Sequence, residues 1–341
     1  MKKLLFLLPL QFCVIAISIA QDIHLSQFFE TPLLRNPALA GIFTGDLRVQ
    51  TVYRNQWKSV GYPYTTKAFS AEYKFALPLS NDFLTVGVQA FHDVAGITRL
   101  TTVEFLPAIN FHKSLSTEKN MFLSAGFAAG PVQRHFDDKR LSFDNQYTNG
   151  SFNPAAPSGE NFPYLKANFI DLATGLSFNT AVFDGGNFYL GASLYHFNKP
   201  TKKYNEVQFF LEPKVQGNTG LKTPLNDRIE LLVEANYLKL GSYSETIAGG
   251  QLLYYVTDMT EAANIRSVAF GGGVFIRLKD AIVPVVKLNY NNVEFAFSYD
   301  VNISSLSAAT TGRGGYEMSL SYKGFTKSMN SSLNMVRCPR F

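Results

Sequence analysis

The chain has 341 residues, of which 46% are hydrophobic, 14% aromatic and 17% charged, and its formal net charge is +5. This hydrophobic content excludes an intrinsically disordered chain, and the scattered basic residues form no patch for a nucleic-acid partner. A transmembrane helix needs about 20 consecutive apolar residues, and no such stretch follows the N-terminus, which excludes a helical membrane bundle.

The first element in the sequence is an export signal. A pair of lysines precedes an apolar stretch that ends in Ser18-Ile19-Ala20, where small residues suit cleavage. We therefore predict a secretory signal peptide over residues 1–20. Its removal takes away two lysines, which lowers the net charge from +5 to +3, and leaves Cys338 as the only cysteine. No intramolecular disulfide can then stabilise the exported protein.

Residues 21–46 show no strand alternation, and we predict a separate N-terminal segment there. Within it, one short helical turn is expected. Asn36 can cap this turn, Pro37 suits its first position and Gly41 can end it. The segment is either a tethered periplasmic arm or a plug inside a barrel lumen. Its leucines need burial, which favours the plug.

From residue 47 to residue 322 the chain alternates apolar with polar side chains, which predicts β-strands. In the clearest strand, Val293 to Val301, aromatic and aliphatic residues share one face while Glu294 and Asp300 lie on the other. A charge on the lipid face of a membrane strand costs roughly 1–4 kcal/mol, so both carboxylates are expected in a lumen. Similar strands are predicted near residues 48–57, 69–77, 84–90, 98–112, 120–130, 168–180, 187–197, 206–215, 229–237, 246–256, 269–278, 281–290 and 316–322.

This pattern predicts an all-β fold, a transmembrane antiparallel β-barrel of about 14 strands in an outer membrane. A soluble β-sandwich has the same period, but aromatic residues near strand ends and the absence of a linker favour the barrel. The longest connection, about Pro131 to Ala167, is then expected outside the cell. The short turns at Pro78–Asp82, Asp184–Gly186 and Asn291–Asn292 are expected in the periplasm, together with both termini and a tail over residues 323–341.

The sequence contains no motif of catalysis or cofactor binding. The five histidines are isolated from each other, and no metal-ligand spacing, nucleophile elbow or phosphate-binding loop occurs. We therefore predict no catalytic residue, no metal, no cofactor and no enzymatic activity. The thiol of Cys338 is predicted to be free, with pairing to another protein as the alternative.

Stretches near both ends of the chain carry the motifs of a known family. They are residues 22–29, Asn36-Pro37-Ala38-Leu39-Ala40-Gly41, Tyr53-Arg54-Asn55-Gln56-Trp57, Pro63-Tyr64-Thr65-Thr66, Phe297-Ser298-Tyr299-Asp300, residues 315–322 and Cys338-Pro339-Arg340-Phe341. This set resembles the PorP/SprF family of the type IX secretion system of Bacteroidota. Residues 130–265 carry little of the resemblance. The candidates for family-motif or interaction residues are Asn36, Pro37, Gly41, Arg54, Asn55, Gln56, Trp57, Tyr299, Asp300, Glu317, Cys338, Pro339 and Phe341.

The resemblance implies a barrel with a FadL-like outline, set in outer-membrane lipid and without catalytic function. Such a protein supports secretion or surface anchoring of a large partner that bears a C-terminal secretion signal, including gliding-motility adhesins. The resemblance also implies contacts with the type IX machinery and with an OmpA-like peptidoglycan-binding protein of the periplasm. A diffusion channel or FadL-like hydrophobic-solute transporter is the alternative, and an outer-membrane enzyme is a third.

Overall fold

The computed structural model describes residues 22–57, 61–116, 118–148, 150–162, 165–183, 185–204, 207–256, 268–304, 307–326 and 341. The predicted signal peptide lies outside these residues. In the described part of the chain, no helix has both the length and the apolar character needed to cross a membrane.

Strands make up most of the described chain, and helices are short. In chain order the strands are β1 (Leu47–Gln56), β2 (Tyr64–Ala76), β3 (Phe83–Ala95), β4 (Leu100–Ser114), β5 (Met121–His135), β6 (Tyr147–Thr148), β7 (Ser151–Phe152), β8 (Lys166–Val182), β9 (Gly186–Tyr195), β10 (Thr201–Tyr204), β11 (Val207–Phe210), β12 (Lys214–Pro224), β13 (Ile229–Leu240), β14 (Tyr243–Tyr255), β15 (Val268–Arg277), β16 (Ala281–Tyr290), β17 (Val293–Asn302) and β18 (Arg313–Gly324). The α-helices are α1 (Pro32–Arg35) and α2 (Ser307–Thr310), and 3-10 turns lie at Phe28–Glu30, Pro37–Leu39, Asp138–Arg140 and Asp144–Gln146.

Fourteen of the described strands close into one antiparallel barrel. Each pairs with its neighbours along the chain, and β1 closes the barrel on β18 in a register from Leu47 with Gly324 to Gln56 with Gly315. The other four strands form two hairpins, β6 with β7 and β10 with β11. The predicted fold class and strand count are therefore confirmed. Closure leaves no unpaired sheet edge, which a membrane barrel requires.

One predicted strand was misplaced. The apolar run near residues 206–215 suggested a barrel strand, but β11 in that region belongs to a hairpin and the barrel strand β12 begins at Lys214. The outward-facing positions of β12 include Gly217 and Thr219, which carry little apolar surface. The apolar run before β12 therefore gave a stronger local signal than the strand itself.

The two ends of the barrel differ in their connections. At the end where β1 begins and β18 ends, here called the start rim, β8 ends at Val182 and β9 begins at Gly186, and residues 291–292 form a short turn between β16 and β17. At the opposite end, the loop rim, residues 136–165 and 196–213 connect strands. The predicted longest connection therefore lies at the opposite end of the barrel from the predicted short turn at residues 291–292. The start rim also carries one longer connection, because β14 ends there at Tyr255 and β15 begins at Val268. The longest connection is shorter than predicted, because β5 continues to His135 and β8 begins at Lys166.

Alternate side chains of each strand face lipid or lumen. On β17, Val293 and Phe295 are about 40% exposed on the outer face, at 39% and 41%, whereas Ser298 and Asp300 are each 1% exposed inside. The register predicted from the charges is therefore confirmed. The barrel presents an apolar outer surface and a polar interior, as the bilayer demands.

Residues 22–46, here called the N-terminal segment, fill the lumen. Their apolar side chains join the wall: Leu33 packs with Leu106, and Phe28 packs with Phe275 in a second buried cluster. The segment enters beside residues of the loop rim and leaves at the start rim, where the Asp46 amide donates to the carbonyl of Gly324. The barrel core therefore lies between this segment and the inner wall.

Candidate functional site

A buried ion cluster joins the N-terminal segment to the wall. The guanidinium of Arg54 on β1 donates to Asp300 Oδ2 at 3.0 Å, to Ser26 Oγ at 2.8 Å and to Gln56 Oε1 at 3.2 Å. It also forms an ion pair with Glu317 of β18. The strand alternation places these side chains on the lumen face, and closure of β1 on β18 brings them together.

The carboxylate of Glu317 accepts from backbone as well as from arginine. The amides of Ser26 and Gln27 donate to its two oxygens at 2.6 and 2.7 Å. On the other side of Ser26, Arg277 donates to Ser26 Oγ and to Asp300 Oδ2, the latter at 3.3 Å. Ser26, Arg54, Arg277, Asp300 and Glu317 are here called the latch cluster. Its charges offset each other in a site that water does not reach.

A second contact fixes the middle of the N-terminal segment. Asn36 accepts from the Ala38 amide at 2.8 Å and so caps the turn that contains Pro37, as predicted. Its side-chain amide donates to carbonyls of the facing wall, Leu176 at 3.1 Å and Ala192 at 3.2 Å. Asn36 therefore links the turn to β8 and β9.

Gly41 ends the turn in a conformation that favours glycine. Its φ is +81°, a left-handed value, and its amide donates to Glu72 Oε2 at 2.8 Å. Glu72 also receives two hydrogen bonds from Arg48, at 2.9 and 2.8 Å. An added Cβ on Gly41 would overlap Thr85 and His112. Both the conformation and the close approach therefore require glycine here.

Asp22, the first residue that the structure describes, forms ion pairs with wall residues near the loop rim. Asp22 pairs with Lys214 and lies 3.4 Å from His196, whose other ring nitrogen is 2.8 Å from Asp171. Burial opposes the charge of Asp22, but Lys214 and His196 hold its pKa well below the ordinary value. Burial also opposes the charge of His196, yet hydrogen bonds with Asp171 and Asp22 raise its pKa to about 9.

Three candidate residues lie at or near the outer surface. Asn55 and Tyr299 are partly exposed on the outer face of β1 and β17. Trp57 follows β1 with a φ of +59°, and its ring packs edge-on against Tyr64, with centroids 4.9 Å apart. These aromatic residues lie toward the loop rim, where interfacial aromatic belts of barrels are found.

Of the three C-terminal candidates, only Phe341 is among the residues that the structure describes. Cys338 and Pro339 lie outside the described residues. Phe341 is described, and its ring packs edge-on against Tyr189 of β9 with centroids 4.5 Å apart. The predicted periplasmic tail therefore ends inside the lumen.

Beside Phe341 the lumen holds a cavity of about 100 Å³, here called the start-rim cavity. It is lined by residues that include Arg48, Lys222, Glu230, Glu294 and Lys323. This volume is enough for only a few water molecules. At the loop rim a solvent-open recess of about 440 Å³ lies beside the longest connection.

The predicted candidates do not include several residues that the site requires. Ser26 and Gln27 lie in the family-like stretch 22–29 but were not named as candidates, and Arg277 was not singled out at all, although these three residues complete the contacts of Arg54, Asp300 and Glu317. For Arg277 a signal was present in the sequence. It lies in phase with buried positions of a membrane strand, where a charge needs a partner in the lumen. In the described part of the chain, no cluster of three or more potential metal ligands occurs.

Comparison with known proteins identifies related sequences and folds. A family model described as "Type IX secretion system membrane protein PorP/SprF" matches residues 17–322. Among curated proteins no sequence gives a significant match. The fold is similar to that of a FadL homologue from Pseudomonas aeruginosa, with a TM-score of 0.50 and 11% identity over 84% of this chain and 92% of that one.

Hydrocarbon channels also align with the barrel. The CymD monoaromatic hydrocarbon channel has a TM-score of 0.49 and 11% identity over 87% of this chain and 93% of that chain. The Pseudomonas putida toluene transporter TodX has a TM-score of 0.43 and 10% identity over 86% and 93% of the two chains. At these identities the likeness concerns the fold alone.

Proposed function

The chain belongs to the PorP/SprF family of type IX secretion system membrane proteins, and from this premise we propose its part in secretion. It is an integral outer-membrane barrel of that system. We propose that it supports the export or surface anchoring of a large secreted partner, such as an adhesin. We propose that its own role is non-enzymatic, in keeping with a family of secretion membrane proteins.

The filled lumen is the observation that carries this proposal. The N-terminal segment occupies the barrel from the loop rim to the start rim, and its latch cluster is buried. The start-rim cavity of about 100 Å³ is too small for a solute the size of a drug or a sugar. A barrel filled in this way supports a function at its two rims in preference to diffusion through its centre.

The two rims are proposed to meet different partners. Long connections of outer-membrane barrels face the cell surface, so we place the loop rim outside and the start rim in the periplasm. The 136–165 connection and its recess then face cargo. The short turns and Thr326 then face the type IX machinery and an OmpA-like peptidoglycan-binding protein. In this orientation Asp22 lies inside the lumen toward the cell surface, and not in the periplasm as expected.

Affinity purification from native outer membranes in mild detergent tests the proposal. We expect a large secreted protein and a periplasmic peptidoglycan-binding protein to co-purify. A variant that lacks residues 141–162 of the outer connection should no longer bind the secreted protein but should still bind the periplasmic protein. Deletion of the gene should reduce the secreted and surface-bound proteins. An unchanged secretome, with no co-purifying partner, would show the proposal to be wrong.

A hydrophobic-solute transporter is the second candidate, because the fold is similar to that of a FadL homologue. Planar-bilayer recording distinguishes the two. We expect the intact protein to be nearly silent and a variant lacking residues 22–40 to conduct ions. Steady conductance of the intact protein, or uptake of a labelled apolar solute that depends on it, would favour transport. An activity abolished by one Ser, His or Asp substitution would instead reveal an enzyme.

A further inference from the structure

The last residue of the chain lies far from the strand that precedes it. β18 ends at Gly324, whereas Phe341 packs on Tyr189 of β9. Around the barrel β9 is seven strands from β18, on the opposite side of a fourteen-stranded wall. The C-terminal residue is therefore bound at a particular place in the lumen, and its binding is not explained by proximity to the end of β18.

The pocket around Phe341 is built from both the wall and the N-terminal segment. Leu39, Ile42 and Tyr189 form a buried apolar cluster, and the ring of Phe341 packs against it. Gly220 of β12 provides the remaining space, since a Cβ there would lie only 2.7 Å from Phe341 Cζ. An edge-to-face aromatic contact on an apolar floor is favourable for a phenyl ring.

The aromatic wall of this pocket is rigid. The Tyr189 hydroxyl donates to Glu234 Oε1 at 2.6 Å and accepts from Arg35 Nη1 at 2.9 Å. The Arg35 guanidinium also lies 5.9 Å from the centroid of the Tyr189 ring. Tyr189 is thus oriented by contacts that do not involve Phe341. A preformed wall loses little conformational freedom when a ligand binds, which favours affinity.

Basic side chains border the pocket. Lys222 and Lys323 line the start-rim cavity together with Phe341. They pair with Glu230 at 3.2 Å and Glu294 at 2.9 Å, yet their side chains keep 32% and 25% of their surface exposed. The pocket therefore has a charged, partly exposed border next to its apolar floor.

We propose that the pocket formed by Leu39, Ile42, Tyr189 and Gly220, beside the start-rim cavity, is a docking site for an aromatic side chain of the segment that follows β18, and that its occupant is Phe341. Docking presses the ring on Leu39 and Ile42 and so fastens the N-terminal segment at the start rim. The segment from Thr326 to Phe341 is long enough to reach across the barrel to this pocket. The fifteen peptide links from Thr326 to Phe341 can span about 50 Å. A barrel of fourteen tilted strands is about 28 Å across.

Photo-crosslinking in the full chain is the first test. Phe341 is replaced by p-benzoylphenylalanine, and the protein is irradiated in detergent and digested. We expect an intramolecular product that joins the C-terminal peptide to the peptides of Tyr189, Gly220 or Leu39. The same photoreactive residue at Phe152, in the outer connection, is the matched control and should give none of these products. Products with lipid or with other molecules only would overturn the proposal.

Peptide binding measures the chemistry of the site. A variant lacking residues 335–341 is mixed with a fluorescent peptide of that sequence, with Cys338→Ser to prevent oxidation. We expect saturable binding, weakened at least about tenfold by Phe341→Ala in the peptide. Equal binding of the alanine peptide would overturn the proposal.

Discussion

The two ends of the lumen hold their charges in different ways. In the latch cluster, Arg54 is 2% exposed and Asp300 and Glu317 are each 1% exposed. In the start-rim cavity, Lys222 and Lys323 remain partly exposed and about 100 Å³ of space is left. The latch cluster is therefore a fully buried part of the fold, whereas the charges that line the start-rim cavity are partly accessible to solvent.

This contrast has an energetic consequence. Removing one partner from a buried ion cluster leaves an uncompensated charge and costs about 3–5 kcal/mol. Removing one partner from a solvent-accessible pair costs about 0–1 kcal/mol. A substitution that removes one charge should therefore lower the free energy of unfolding much more in the latch cluster than beside the start-rim cavity.

Glu317→Gln should have the largest effect. It removes a charge that Arg54 and the amides of Ser26 and Gln27 share, so we expect a loss of about 3–5 kcal/mol. Urea unfolding in lipid vesicles, followed by the fluorescence of Trp57, the only tryptophan, measures it. Glu160→Gln, at an exposed position of the connection at the loop rim, is the control and should change nothing. An unchanged midpoint for Glu317→Gln would contradict the description of a fully buried latch cluster.

His196→Gln tests whether the contact between His196 and Asp22 at the loop rim makes the stability of the protein depend on pH. The pKa of His196 is raised to about 9, so its stabilisation is complete below about pH 6.5 and is lost as the pH rises through about 9. We expect the variant to be less stable than the native protein by up to about 3 kcal/mol at pH 6 and nearly equal to it at pH 10. Urea midpoints at both pH values measure this difference. His92→Gln, at an exposed position of β3, is measured as the control. A difference between the His196→Gln variant and the native protein that persists at pH 10 would refute the mechanism.

Gly126→Ala tests how tightly the N-terminal segment packs in the lumen, by comparison with the same substitution on the outer face of the barrel. A Cβ on Gly126 would overlap the backbone of Pro37 and Ala38, whereas nothing lies within 4 Å of a Cβ on Gly272. We expect Gly126→Ala to cost about 1–3 kcal/mol and to expose the N-terminal segment to protease. Gly272→Ala, in a strand on the outer face, is the matched control. Equal protease resistance of both variants would show that the segment is not tightly packed.

Lys222→Gln should have the smallest effect. Its pair with Glu230 is 3.2 Å long and its side chain is 32% exposed, so we expect a loss of less than about 1 kcal/mol that disappears at high salt. Exposed Lys67→Gln is the control. A loss as large as that of Glu317→Gln would mean that the charges of the start-rim cavity are as buried as those of the latch cluster, and the contrast would fail.

The strand pattern predicted most of the barrel because it is local. Residues two apart share a face of a strand, so Glu294 and Asp300 alone determined the register of β17. Where the outer face carries Gly217 and Thr219 the local signal was weak, and β12 was misplaced. The capped turn at Asn36 was also predictable, since capping depends on neighbouring residues only.

The site was predictable as a set of residues but not as a set of contacts. Arg54, Asp300 and Glu317 were all candidates, and strand alternation places them on the lumen face. No local sequence signal indicates that the Ser26 hydroxyl accepts hydrogen bonds from both Arg54 and Arg277. Many lumen carboxylates and arginines could pair in other combinations, and a sequence pattern does not rank them.

The sequence by itself determined the class of the fold and the lipid-facing side of strands with clear alternation, such as β17. Those two features follow from the cost of placing charge or unpaired backbone in a bilayer, which each strand meets on its own. The family followed from the motifs near both ends of the chain. For the N-terminal segment the sequence favoured a plug over a tethered arm. The tertiary structure alone decided which wall residues that segment contacts and that Phe341 returns to the lumen. Ser26 and Glu317 are 291 positions apart, and only closure of the barrel brings such residues into contact.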